Sequence, residues 1–144
     1  MQEREVDVAV VGAGPGGYSV AIRAAQQGLD VVCIERENVG GVCLNWGCIP
    51  SKALITASRR YAWARDGEVM GVKVEGVSFD LGRAQLHSHR IVQHHTGGVA
   101  SLLEANGAKL VRGSASFENT RSLVVRRDDA SAERIRARRG TVRA

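Results

Sequence analysis

Val6-Asp7-Val8-Ala9-Val10-Val11-Gly12-Ala13-Gly14-Pro15-Gly16-Gly17 carries an apolar run that breaks abruptly into glycines. Val6 to Val11, interrupted only by Asp7, reads as a buried parallel strand. The glycines follow as GxGxxG at Gly12, Gly14 and Gly17. The first permits a tight turn, the second lets backbone approach a pyrophosphate, and the third lets helix and strand pack closely. The helix beyond then aims its free N–H groups at the phosphates. It runs from about Pro15 to Gln27 and stops at Gly28, a natural C-cap. A second strand, Asp30 to Ile34, ends in Glu35, placed to accept hydrogen bonds from ribose hydroxyls. Strand, turn, helix, strand and acid in that order predict an α/β fold: a Rossmann-like, doubly wound parallel sheet that binds a dinucleotide.

Shortly downstream stands Gly40-Gly41-Val42-Cys43-Leu44-Asn45-Trp46-Gly47-Cys48-Ile49-Pro50-Ser51-Lys52. Pro50 fits the first turn of a helix, where its missing N–H does no harm. Cys48 then lies close to that helix's N-terminus, where the dipole and free N–H groups favour a thiolate. Gly47 and the Gly40-Gly41 pair supply flexible backbone for tight closure. A bond across so short a loop adds little stability through chain entropy, so a redox role explains the cysteines better than a structural staple. Two unpaired thiols in a reducing cytosol are the competing reading.

Gly12 to Gly17 together with Glu35 to Lys52 resemble the flavin-dependent pyridine nucleotide–disulfide oxidoreductases. Within that family, Leu44-Asn45 and Ile49-Pro50-Ser51-Lys52-Ala53-Leu54 are most like the dihydrolipoyl dehydrogenases. Glutathione reductases tend to carry a second lysine where Ser51 stands, and mercuric reductases usually have valine at the Leu44 and Ile49 positions. Another disulfide reductase of the family is therefore the alternative, and a non-catalytic flavin-binding fragment is a second. The resemblance implies that the cofactor is FAD, with NAD as acceptor in the complete enzyme. It implies a redox disulfide between Cys43 and Cys48, with Cys48 nearer the flavin as charge-transfer thiolate and Cys43 exchanging with dihydrolipoamide carried on a lipoyl domain. FAD contacts are implied at Gly12, Gly14, Pro15, Gly17, Glu35, Arg36, Gly41, Val42, Cys43, Lys52, Gly113 and Ala115. Lys52 is expected near the flavin ring, one helical turn past Cys48. Val42 stands where threonine is common in relatives, which removes a hydroxyl.

The rest of the chain is read more coarsely. Ser51 to Ala64 is predicted as a helix, and Val72-Lys73-Val74 and Val77-Ser78-Phe79 are short alternating stretches. Gly82 to Asn106 is a long helical pattern with Leu86, Val92, Val99, Leu102 and Leu103. Lys109 to Arg112 is a return strand, and a further strand at Leu123 to Arg126 suggests a small β insertion. The expected organisation is one partial FAD-binding domain over residues 1–144. It comprises the βαβ unit and dithiol helix over 3–65, the long helix over 82–106, and the return strand with β insertion over 109–144. The resemblance places the NAD and dimer-interface domains, a homodimer contact and a His–Glu base outside this span, so the chain is read as a fragment.

Composition bounds the rest. The chain has 144 residues, 44% of them hydrophobic, enough for one core. No apolar run approaches a membrane span, and the charged opening Gln2 to Glu5 is no signal peptide, so the expectation is a cytoplasmic protein. Cys33, inside the second strand, is read as a small buried hydrophobe. Seven arginines between Arg126 and Arg143 are read as a solvated strand and tail, not a nucleic-acid surface, because no aromatics interleave them. His87, His89, His94 and His95 are read as a polar helix face, with no metal site expected.

Overall fold

The computed structural model describes residues 2–144. β1 (Gln2–Val11) turns at Gly12 into α1 (Pro15–Gln26), which returns the chain to β2 (Val31–Glu35). β2 lies parallel to β1 with Val8 opposite Val31 and Val11 opposite Ile34. The helix ends where Gly28 takes a left-handed φ of 79°, as a C-terminal glycine should. α2 (Gly41–Asn45) and α3 (Cys48–Asp66) follow, then a short 3-10 turn at Gly67–Met70 and α4 (Leu81–Ala105). Asp80 caps α4 by accepting a hydrogen bond from the Arg83 N–H at 2.9 Å. β3 (Lys109–Arg112), β4 (Ser114–Phe117), β5 (Ser122–Arg126) and β6 (Ala132–Arg143) complete one six-stranded sheet, ordered β3-β2-β1-β6-β5-β4. Val72 to Val74 and Val77 to Phe79 form no strand; the Phe79 ring packs on Tyr61 instead, with centroids 5.7 Å apart.

The α/β, Rossmann-like class is the one observed, and two apolar layers build it. On one face Val10, Val31 and Cys33 meet Ala21 of α1 and Val99 and Leu103 of α4. On the other, Ala9, Val32 and Ile34 meet Leu123, Val125, Ile135 and Ala137. No helix covers that second face; the sheet covers it itself. β3 and β4 stand at opposite ends of the strand order, yet only Gly113 separates them in sequence. The sheet therefore curls until its ends meet, and the Gly113 N–H donates to the Glu35 carbonyl at 3.0 Å. Gly113 is required there: its φ is 150°, and a Cβ would sit 2.6 Å from the Arg126 carbonyl oxygen.

The arginine-rich segment is not a tail, which corrects the expectation from its charge. It forms β6, a central strand parallel to β1. Its side chains alternate: Glu133, Ile135 and Ala137 are buried, while Arg136 and Arg138 are exposed. The density of arginines hid that period-two pattern. Ion pairs hold the charged rows. Glu133, 2% exposed, lies 2.9 Å from Arg4 and 2.6 Å from Arg127. Arg134 meets Glu118 at 2.8 Å and Arg138 meets Asp7 at 3.1 Å. Asp7, the residue that breaks the first apolar run, sits at the register shift between β1 and β6. It accepts the Asp30 N–H at 2.9 Å, and that bond, with Arg138 and Arg139 nearby, holds its carboxyl below the usual range.

No helix among the described residues is long and apolar enough to cross a membrane. The closest backbone approach lies at the first turn, where a Cβ on Gly17 would fall 1.8 Å from the Gly12 carbonyl oxygen. Gly17→Ala should therefore separate α1 from β1 and lower unfolding free energy in urea by about 3 kcal/mol, the upper range for overpacking. A loss below about 1 kcal/mol, the size of an average substitution, would show that the contact is not needed.

Candidate functional site

A cleft of about 560 Å³ opens beyond the C-terminal ends of β1 and β2. This is where a parallel α/β sheet offers a crevice to a ligand. Gly12 and Gly14 from the first turn, Glu35 and Arg36 from the end of β2, Gly41 and Val42 from α2, and Gly113 and Ala115 from the β3–β4 joint all line it. These come from four separate parts of the sequence, each singled out above for a FAD contact. Pro15, Gly17, Cys43 and Lys52 do not line it. Gly17 serves the packing just described, and Pro15 is the first residue of α1.

The floor is built for an anion. α1 begins at Gly14 with no side-chain cap and no acid in its first turn, so its leading N–H groups and dipole remain available. Gly12 has a φ of 99°, and a Cβ there would meet the Ala144 carbonyl oxygen at 2.8 Å. Glu35 forms the side wall. One carboxylate oxygen accepts the Ala13 N–H at 2.8 Å and the other accepts the Glu37 N–H at 2.8 Å. The two bonds fix the carboxylate at the rim and leave each oxygen a second lone pair for a hydroxyl donor.

The dithiol loop adjoins this floor through backbone. A Cβ on Gly41 would lie 2.8 Å from the Gly14 Cα, so the loop and the glycine turn touch with nothing between them. That is the use of Gly41; the expected flexibility for disulfide closure is not what it provides. The Gly40 N–H donates to the Ala13 carbonyl at 2.7 Å, and the Asn45 amide donates to the carbonyls of Val39 and Gly41 at 3.1 and 2.9 Å. α2 thus holds Cys43 within a short helix. Gly47 caps α3, whose first residue is Cys48. A Cβ on Gly47 would lie 3.2 Å from the Cys43 Cα, so this glycine lets the two cysteine-bearing helices close on each other.

Cys43 and Cys48 are both free thiols in the structure, half-buried and exposed respectively. The neighbouring Cys48 side chain, followed by burial, raises the pKa of Cys43, and the charge of Lys52 works against that rise. Cys33 is wholly buried on the sheet, where desolvation, with Glu35 adding to it, pushes its thiol up to about 12. It is a packing residue, as read from its place in a strand.

Lys52 lines a second groove between α3 and α4 with Arg60, His87 and His95. Among the described residues no group of three or more His, Cys, Asp or Glu could hold a metal ion. Several cleft residues escaped the sequence reading. Ser114 and Phe117 line it because the sheet curls, and Arg143 because β6 runs parallel to β1 and ends beside Val11. No local pattern signals that. Asn45, two residues before Gly47, could have been found: a side-chain amide beside a glycine turn is a natural brace for it.

Comparison with known proteins agrees with this arrangement. A family model described as pyridine nucleotide-disulphide oxidoreductase matches residues 6–137. A dihydrolipoyl dehydrogenase of Geobacillus stearothermophilus is 49% identical over 127 residues, covering 88% of this chain and 27% of that protein. One from Staphylococcus aureus is 49% identical over 129 residues, and one from Chlorobaculum tepidum 40% over 134, covering 27% and 29% of their lengths. The chain thus spans little more than a quarter of the curated relatives it matches. Among solved structures, the Cu(II) complex of the HOCl-induced flavoprotein disulfide reductase RclA from Escherichia coli superposes with a TM-score of 0.77 at 24% identity. The match covers 93% of this chain and 27% of that one, and it shows a shared fold.

Cys48 supplies the leading causes of the raised Cys43 pKa, so Cys48→Ala should move the pH midpoint of Cys43 alkylation downward. Iodoacetamide labelling across pH, read by peptide mass spectrometry, measures this. An unchanged or higher midpoint would mean that the two thiols are not coupled.

Proposed function

The chain belongs to the pyridine nucleotide-disulphide oxidoreductase family, and from that premise we propose that it is the FAD-binding, dithiol-bearing part of a dihydrolipoyl dehydrogenase-like enzyme. The observation that carries this reading is the shared wall. Gly41 and Val42 line the nucleotide cleft, and Cys43 follows directly in the same helix. A dinucleotide held by the glycine turn would therefore extend toward the sulfurs.

The residues present fit FAD. The uncapped start of α1 suits its pyrophosphate, and the spare lone pairs of Glu35 suit a ribose. Gly113 and Ala115 offer backbone at the far end of the cleft for the adenine. Arg36, held 3.2 Å from Glu37, stands at the rim. Lys52, one helical turn past Cys48, would stand near the flavin ring. When bound, FAD supplies a two-electron acceptor that NAD can discharge in the complete enzyme.

The chain's own part is thiol–disulfide exchange. With the Cys43–Cys48 bond closed, a thiolate of dihydrolipoamide attacks the Cys43 sulfur. The S–S bond breaks and its electron pair leaves on Cys48, giving a mixed disulfide at Cys43. The second substrate thiol, deprotonated by a base outside this chain's span, attacks the substrate sulfur of that bond. Lipoamide leaves as the cyclic disulfide, and Cys43 departs as thiolate. The base returns its proton to Cys43, whose raised pKa favours the thiol form. The substrate dithiol has been oxidised by two electrons and the cysteine pair reduced by two. In this reading the full-length enzyme is a cytoplasmic homodimer, and the present span alone binds flavin without turnover.

Reconstituting the chain with FAD should leave it yellow after gel filtration, and Glu35→Ala should weaken binding about tenfold, worth ~1.4 kcal/mol. In the full-length context Cys48→Ser should keep FAD but lose the long-wavelength thiolate-to-flavin absorbance of the two-electron-reduced protein. Colourless wild-type protein would overturn the cofactor assignment, and a surviving absorbance would overturn the role of Cys48. A panel of lipoamide, glutathione disulfide and mercuric ion on the same full-length protein separates the lipoyl reading from other reductases.

A further inference from the structure

α3 and α4 pack antiparallel: the Tyr61 ring meets Phe79, while the Ser88 hydroxyl donates to the Pro50 carbonyl at 3.4 Å. Between them runs a groove of about 300 Å³. Lys52 and Arg60 line it from α3, His87 and His95 from α4, over a floor that includes Ile49 and Ile91. Each of these pairs is eight residues apart, which spaces the two polar groups by about 12 Å along one face of each helix. No aspartate or glutamate lines the groove, and neither Lys52 nor Arg60 forms an ion pair among the described residues. In the same structure Arg4, Arg65, Arg127, Arg134 and Arg138 all find carboxylates.

We infer that this groove is a binding site for an elongated organic anion, with acidic groups toward its ends and an apolar body on the Ile49–Ile91 floor. Unpaired cations over apolar surface attract a negative group and reward burial of the chain between. A compact inorganic anion meets only part of that arrangement. The groove is separate from the cleft at the strand ends, and the inference does not require flavin to bind there.

Octanedioate, 1,8-octanediol and inorganic phosphate, each titrated into the 144-residue chain and followed by NMR of the histidine rings, test this. Octanedioate should shift His87 and His95 saturably and leave His89 unmoved, and the uncharged diol should do nothing. Arg60→Ala should weaken binding by roughly fivefold, at an exposed position where a screened charge contact is lost without disturbing the core. Non-saturating shifts, an equal response to the diol, a matching shift at His89, or unchanged binding in Arg60→Ala would overturn the site. Phosphate binding as tightly as octanedioate would overturn the elongated ligand. The readout uses histidine signals in protein without cofactor, so it stands or falls apart from the FAD assignment.

Discussion

The architecture depends on backbone meeting backbone where glycine has no side chain. The Gly12 carbonyl occupies the position a Cβ of Gly17 would take, so α1 can only lie where it does if residue 17 is glycine. That contact sets the helix against β1 and directs its uncapped start at the cleft. Gly41 then touches Gly14, carrying the dithiol loop to the same point. Gly47 repeats the device between α2 and α3. Three approaches of this kind chain the nucleotide turn to the cysteines with almost no side chain between them. A methyl group at Gly17 or Gly41 would meet backbone at these contacts and force the elements apart.

Carboxylates elsewhere are held by the same economy of fixed donors. Glu35 is oriented by two backbone N–H groups, and Asp7 by one with arginines behind it. Glu133, almost wholly buried, is flanked by two arginines. The basic excess of the chain thus serves partly to neutralise acids within the sheet. The cations that remain unmatched stand out for that reason, and two of them share the α3–α4 groove.

Several apolar side chains on α3, α4 and their connection are open to solvent, among them Ile55, Trp63, Val69 and Leu86. None of the side chains of α3 is buried. The helix pair therefore contributes less to the core than the sheet does, and α4 is anchored mainly through Val99 and Leu103. The dithiol sits at the root of this projecting pair, where α3 begins. The position combines a rigid base with an accessible sulfur, as exchange with an incoming thiol requires.

Local chemistry was legible in the residues alone. An apolar strand, a glycine turn, a capped helix and an acid at a strand end are written within a few dozen positions, because each depends on backbone conformation and hydrogen bonds between near neighbours. The place of Cys48 near a helix N-terminus and the burial of Cys33 were readable for the same reason, although the helix expected over 51–64 begins at Cys48. Long-range pairing was not. β6 is matched to β1 from the other end of the chain, and its arginines disguised the alternation that buries Ile135 and Ala137. The curl through Gly113, which brings Ser114 and Phe117 to the cleft, depends on the sheet closing over its own face. The grouping of Lys52 and Arg60 with His87 and His95 depends on how two helices cross. Those features follow from which surfaces find each other in three dimensions, and only the tertiary structure decided them.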